Sequence, residues 1–148
     1  MKRTAFSVLA VTLVAPTIFS VSLSQTRKSD ELRRGQYLVE RVGMCVDCHS
    51  PRDQKGGFIR ERWLGGAPVD FKPIHPMPWA ETAPPLAGLP GWETNEAIRL
   101  LETGVAPDGS PLRPPMPPYK MTNEDARAVV AYLKSLPPVQ AVTESTGN

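Results

Sequence analysis

The residues best suited to chemistry lie together in Cys45-Val46-Asp47-Cys48-His49. The chain has 148 residues with only two cysteines and two histidines, and three of those four fall within these five positions. On a helix, positions i and i+3 share a face, so the two thiols project side by side, and His49, at i+4 from Cys45, projects next to them. Two sulfurs at that separation can reach the two vinyl groups along one haem edge, while the imidazole brings a nitrogen to the iron. The pattern C-x-x-C-H therefore reads as covalent attachment of a c-type haem. Three other chemistries compete. A redox dithiol would sit after a strand in a βαβ pattern, and none is legible. A structural zinc site from Cys45, Cys48, His49 and His75 needs His49 to bend in and lacks the usual paired-His spacing. A disulfide closing so short a loop is a poor staple. Haem attachment is the leading reading.

The elements that must hold this site are unevenly distributed. Fourteen of the 17 prolines fall between Pro51 and Pro118. Proline fixes φ and removes an amide donor, so this middle is not mainly helix or central strand. Both flanks read as helix. Ser29 can cap a first helix with Asp30 and Glu31 in its first turn, and Leu32, Leu38, Val39 and Val42 give it an apolar side that runs into Cys45. A short helix fits between Thr94 and Thr103, stopped by Gly104. A last helix starts at the near-capping-box Thr122-Asn123-Glu124-Asp125, buries Ala126, Val129, Val130 and Leu133, and stops at Pro137-Pro138. Helices this short enclose little apolar surface, and a loop this long is unusual inside a compact domain. A haem at the centre supplies the missing core, and a proline-rich loop loses less entropy in wrapping it.

Lys2 and Arg3 precede an apolar stretch from Ala5 to Leu23 with small residues at Ser20, Ser22 and Ser24, the organisation of a secretory signal peptide. The competing reading is a retained membrane anchor. Residues 1–24 are thus expected to be a leader, 25–138 the working domain and 139–148 a loose polar tail. The formal charge is +2, and without Lys2 and Arg3 the basic and acidic residues balance. That gives no electrostatic case for nucleic-acid binding. The expected compartment is the periplasm, with membrane association only if the leader is retained.

Cys45-Val46-Asp47-Cys48-His49 near the start, Pro115-Met116-Pro117 ahead of the last helix, and the ending from Asp125-Ala126 to Pro137-Pro138 resemble a small class I cytochrome c. The stretch from Gly104-Val105-Ala106-Pro107-Asp108-Gly109 to Leu133 is most similar to monohaem cytochromes and cytochrome domains that serve periplasmic dehydrogenases. The resemblance covers roughly residues 30–138. It implies an all-α fold, three to four short helices and a Pro-rich loop around one covalent haem c. It also implies a contact of Gly35 and Tyr37 with Tyr132 where the terminal helices cross.

A thioether opposite His49 would raise the reduction potential and favour electron transfer. Met44 adjoins Cys45 on the attachment side, and Met121 sits where a side chain folds onto a helix start. Met77 and His75 lie in an unplaced loop. Met116 is flanked on both sides by prolines that restrict the backbone before any ligand arrives. The resemblance puts the sixth ligand at Met116, leaving a core-filling role as its plainer alternative. A backbone carbonyl should accept from the second ring nitrogen of His49. The resemblance implies a proline carbonyl shortly after the histidine, but residues 52–67 contain no proline, so Pro68 is the substitute candidate. Trp63, Trp79 and Trp92 are core candidates. Arg60, Arg62 and above all Arg113 are candidates to neutralise haem propionates.

The leading function is an exported monohaem cytochrome carrying single electrons, not an enzyme. By the resemblance it draws them from a periplasmic dehydrogenase and passes them to a terminal oxidase or another cytochrome. The alternative is a small haem enzyme or gas sensor with an open or labile sixth site, for which His75 is the only spare histidine.

Overall fold

Helix α1 runs from Ala15 to Tyr37 in a computed structural model that describes residues 15–139, with side chains from residue 25 onward. The expected leader lies outside the described residues up to residue 14, and the tail from residue 140. Ser29 does not start this helix. It lies inside α1, and its hydroxyl donates to the Thr26 carbonyl at 2.8 Å. Nothing between Pro16 and Ser29 breaks a helix, so the helix runs through the Ser29 position. Among the described residues, no helix is long and apolar enough to cross a membrane.

A π-helical turn, Leu38–Val42, continues α1 and ends where the Gly43 N–H reaches the Leu38 carbonyl at 2.7 Å. Met44 then adopts the left-handed conformation (φ 47°), reversing the chain into the five-residue α2, Cys45–His49. The proline-rich middle is loop for most of its length, as its composition requires. It holds a 3₁₀ turn at Arg60–Arg62 and two short strands, β1 (Ala67–Pro68) and β2 (Thr82–Ala83). The strands pair antiparallel, Ala67 with Ala83 and Pro68 with Thr82. Between them the chain makes an excursion in which Phe71, Ile74 and Met77 are exposed.

Helix α3, Thr94–Thr103, buries Ala97, Ile98 and Leu101 and ends at Gly104 in the left-handed conformation. Helix α4, Asn123–Ser135, starts as its capping residues demand, with the Thr122 hydroxyl accepting from the Asp125 N–H at 3.2 Å. It presents Ala126, Val129, Val130 and Leu133 to the core.

The terminal helices cross backbone to backbone at Gly35. A Cβ there would lie 1.9 Å from the Ala128 carbonyl oxygen and 2.7 Å from the Tyr132 Cβ, so only glycine fits. Beside the crossing, the Tyr132 hydroxyl donates to Glu40 at 2.6 Å and Arg34 donates to Asp125 at 2.9 Å. Tyr37 does not join this contact. It is exposed, because it lies two positions after Gly35 and such positions do not share a helix face. Val139, expected in the loose tail, instead packs against the core and crowds Gly65.

Candidate functional site

The attachment helix lies along one wall of an apolar enclosure. A cavity of about 700 Å³ opens there, and Cys45, Cys48, His49 and Met116 all line it. Core residues Leu101, Val129, Val130 and Leu133 form the wall contributed by α3 and α4, and Trp92 and Tyr119 add aromatic surface. The volume lies within the roughly 300–1,000 Å³ typical of small-molecule and cofactor sites.

Each motif residue is held by local structure. Cys45 and Cys48, three apart on α2, are free thiols, Cys45 half-buried and Cys48 exposed. Burial pushes the Cys45 thiol up to about 11, so it stays protonated at neutral pH. Asp47 between them accepts from Arg52 at 2.9 Å; that guanidinium also donates to the Gly56 carbonyl and stacks 3.9 Å above the Phe58 ring. Ser50, just after the motif, is 1% exposed, and its hydroxyl accepts from the Leu64 N–H at 2.9 Å.

His49 is 5% exposed, and its Nδ1 lies 2.7 Å from the Pro84 carbonyl oxygen. A carbonyl can only accept, so Nδ1 carries the proton and Nε2 keeps its lone pair. Burial lowers the imidazole's affinity for a second proton, partly offset by the Pro84 contact, so the ring is neutral at pH 7. A neutral imidazole fixed in one tautomer is the state a metal ligand requires. The carbonyl is that of Pro84, not Pro68. Pro68 is engaged in β1 opposite Thr82, and the hairpin carries the chain back so that Pro84, just past β2, reaches His49. Gly66 makes this approach possible: its N–H donates to the His49 carbonyl at 2.8 Å, and a Cβ there would lie 2.9 Å from the Ala83 oxygen.

Met116 lies in a turn in which its N–H reaches the Arg113 carbonyl at 3.3 Å, and the Pro114–Pro115 bond is cis. Pro118 of the same segment packs on Gly104, where a Cβ would come within 2.7 Å of it. Of the other sulfur and nitrogen candidates, Met44 also lines the cavity, from the attachment side beside Cys45, and the rest lie elsewhere. Met77 and His75 are exposed and do not line the cavity. Met44 is half-exposed at its attachment side, and Met121 packs against the core beside α4. Of the arginines, Arg113 lines the cavity, whereas Arg60 stacks on Trp63 at 4.5 Å and Arg62 does not reach the cavity. Trp63 and Trp92 pack on the core; Trp79 instead donates to the Phe71 carbonyl within the exposed excursion.

Four parts of the site have no place in the sequence reading: Pro84, Ser50, the Arg52–Asp47 pair and Tyr119. Only Tyr119 carried a signal, as an aromatic directly after the methionine loop. The others depend on contacts between segments far apart in the chain or on loop geometry.

A short attachment helix carrying two thiols and an imidazole, an apolar cavity beside it and crossed terminal helices are the architecture of a small haem-type domain. The match to the Cytochrome c family covers residues 32–137, and the chain belongs to that family. It is 30% identical over 115 residues to a diheme cytochrome c-type protein of Cereibacter sphaeroides, covering 74% of this chain and 37% of that protein. It is 32% identical over 128 residues to the cytochrome c subunit of a quinone alcohol dehydrogenase from Gluconacetobacter polyoxogenes, covering 74% of this chain and 25% of the subunit. It is 26% identical over 117 residues to the cytochrome subunit of a fructose dehydrogenase from Gluconobacter japonicus, covering 74% and 23%. The chain thus spans well under half the length of these relatives. Family membership implies haem c with its iron, bound covalently. The residues fit that group: two thiols and a neutral imidazole on one wall, a thioether from another, and apolar side chains between.

Proposed function

We propose that this chain is an exported monohaem c-type cytochrome that carries single electrons between periplasmic redox partners, from a dehydrogenase to a terminal oxidase or another cytochrome. The observation that carries the reading is the convergence of Cys45, Cys48, His49 and Met116 on one apolar cavity. Cys45 and Cys48 would anchor the haem through thioethers, and His49 and Met116 would hold its iron. When bound, the haem supplies a one-electron iron couple. The protein's part is to orient His49 through Pro84, to exclude water with the apolar wall, and to hold the Met116 loop in place. A haem held by both His49 and Met116 would leave no open site for a substrate on its iron, which favours a carrier over an enzyme.

One haem is supported by the single C-x-x-C-H in the sequence. A dehydrogenase as donor is supported by relatives that are cytochrome subunits of alcohol and fructose dehydrogenases. Export is supported by the N-terminal charge and apolar pattern. The enzyme-or-sensor reading loses its distal histidine, because His75 is exposed and away from the cavity.

The test uses the matured holoprotein. Acid–acetone should leave the pigment on the chain, and the ferric form should show the weak far-red methionine-to-iron band. Met116→Ala should lose that band and bind cyanide rapidly. Release of the pigment, or fast cyanide binding by the unaltered protein, would overturn the proposal.

A further inference from the structure

Tyr119 lines the cavity, is partly buried, and donates its hydroxyl to the Gly43 carbonyl at 2.6 Å. The two residues belong to opposite sides of the site. Gly43 immediately precedes Met44 and Cys45 on the attachment side, and Tyr119 closes the segment that carries Met116. The approach is close: a Cβ at Gly43 would lie 3.5 Å from the Tyr119 hydroxyl, 3.4 Å from the Cys45 sulfur and 3.1 Å from the Leu38 oxygen. The other end of the segment is tied as well, by the Ala80 N–H donating to the Pro114 carbonyl at 2.7 Å. Met116 therefore sits on a short bridge with one hydrogen-bonded pier on each side.

We infer that Tyr119 is a positioning residue for the sixth ligand: its bond to Gly43 clamps the Met116 loop to the attachment turn and sets how readily another ligand displaces the thioether. This inference rests on Met116 being the ligand. The physical basis is that an iron–thioether bond is weak, so its persistence depends on what holds the sulfur's backbone. Tyr119→Phe removes the hydroxyl and keeps the ring that packs on the core, so the pier is lost while the fill remains. The loop then dissociates more often, and an added ligand meets the iron more often.

The experiment titrates cyanide and imidazole into ferric holoprotein, following loss of the far-red band, for the unaltered chain, Tyr119→Phe and Tyr132→Phe. Tyr132 is the control, because it makes a hydroxyl bond of the same length to Glu40 at the helix crossing. The expected result is a band present in all three forms. The apparent affinity for cyanide and imidazole should rise about five- to tenfold in Tyr119→Phe alone, the scale of one neutral hydrogen bond. Equal affinities in the unaltered chain and Tyr119→Phe would overturn the inference and leave Met116 as ligand. An equal rise in Tyr132→Phe would reduce Tyr119 to a general stability role and overturn it too. Absence of the band from the unaltered holoprotein would remove both the inference and the ligand assignment beneath it.

Discussion

The His49 ring is oriented by Pro84: Nδ1 and the proline carbonyl oxygen are 2.7 Å apart, across 35 positions of sequence. The attachment helix is only five residues long and cannot by itself fix an imidazole. The β1–β2 pairing does so by returning the chain to the histidine. A sheet of two dipeptide strands thereby sets the tautomer of the site's nitrogen ligand candidate.

The first prediction concerns the haem-free chain. Leu89, Leu101, Val129, Val130 and Leu133 all belong to the core and all face the cavity. Without haem they lack packing partners on that side, and a domain's total stability is only about 5–15 kcal/mol. Cys45→Ser/Cys48→Ser protein should lose most of its helical circular dichroism. Near-native helical signal would refute this.

At the helix crossing, Gly35→Ala should be strongly destabilising although alanine is the better helix former by about 1 kcal/mol. The added Cβ meets backbone at Ala128, which cannot rotate away. A net loss of about 2–3 kcal/mol is expected from denaturant unfolding of the holoprotein. A stability gain would mean that the helices cross elsewhere.

Ser50→Ala tests the turn behind the motif. It leaves the Leu64 N–H without its partner in a buried setting, a cost of about 1–3 kcal/mol. Ser50→Thr keeps the acceptor and should recover part of the loss. Unchanged unfolding midpoints for Ser50→Ala would contradict the bond.

Alkaline titration probes Tyr132. Burial, and then its bond to Glu40, raises its pKa above the ordinary 10.0. The phenol is neutral in both folded and unfolded states below pH 10, so its contribution is complete there. Above that value the unfolded phenol ionises first, and stability falls as pH rises through the folded value. Unfolding midpoints should decline less steeply above pH 10 in Tyr132→Phe. Parallel profiles for the two proteins would count against the assignment.

Much of this was legible in the sequence where the signals are local. The limits of α3, the Thr122 cap and the Gly104 stop follow from residue types within a few positions of each other. The attachment motif is equally local. Gly35 and Tyr132 were legible through resemblance, but Tyr37 was not, since helical phase turns it outward. The start of the first helix was misplaced at Ser29, because a capping residue type is present whether or not a helix already runs through it. Pro84 was out of reach. Choosing it over Pro68 depends on a strand register between two dipeptides, which no periodicity reports.

The cavity wall draws on residues from Val42 through to Leu133. A stretch truncated anywhere between those positions lacks part of the enclosure. The family match, residues 32–137, falls just outside both limits. A cassette with such boundaries can be spliced into longer chains only whole, and its relatives are indeed several times its matched length.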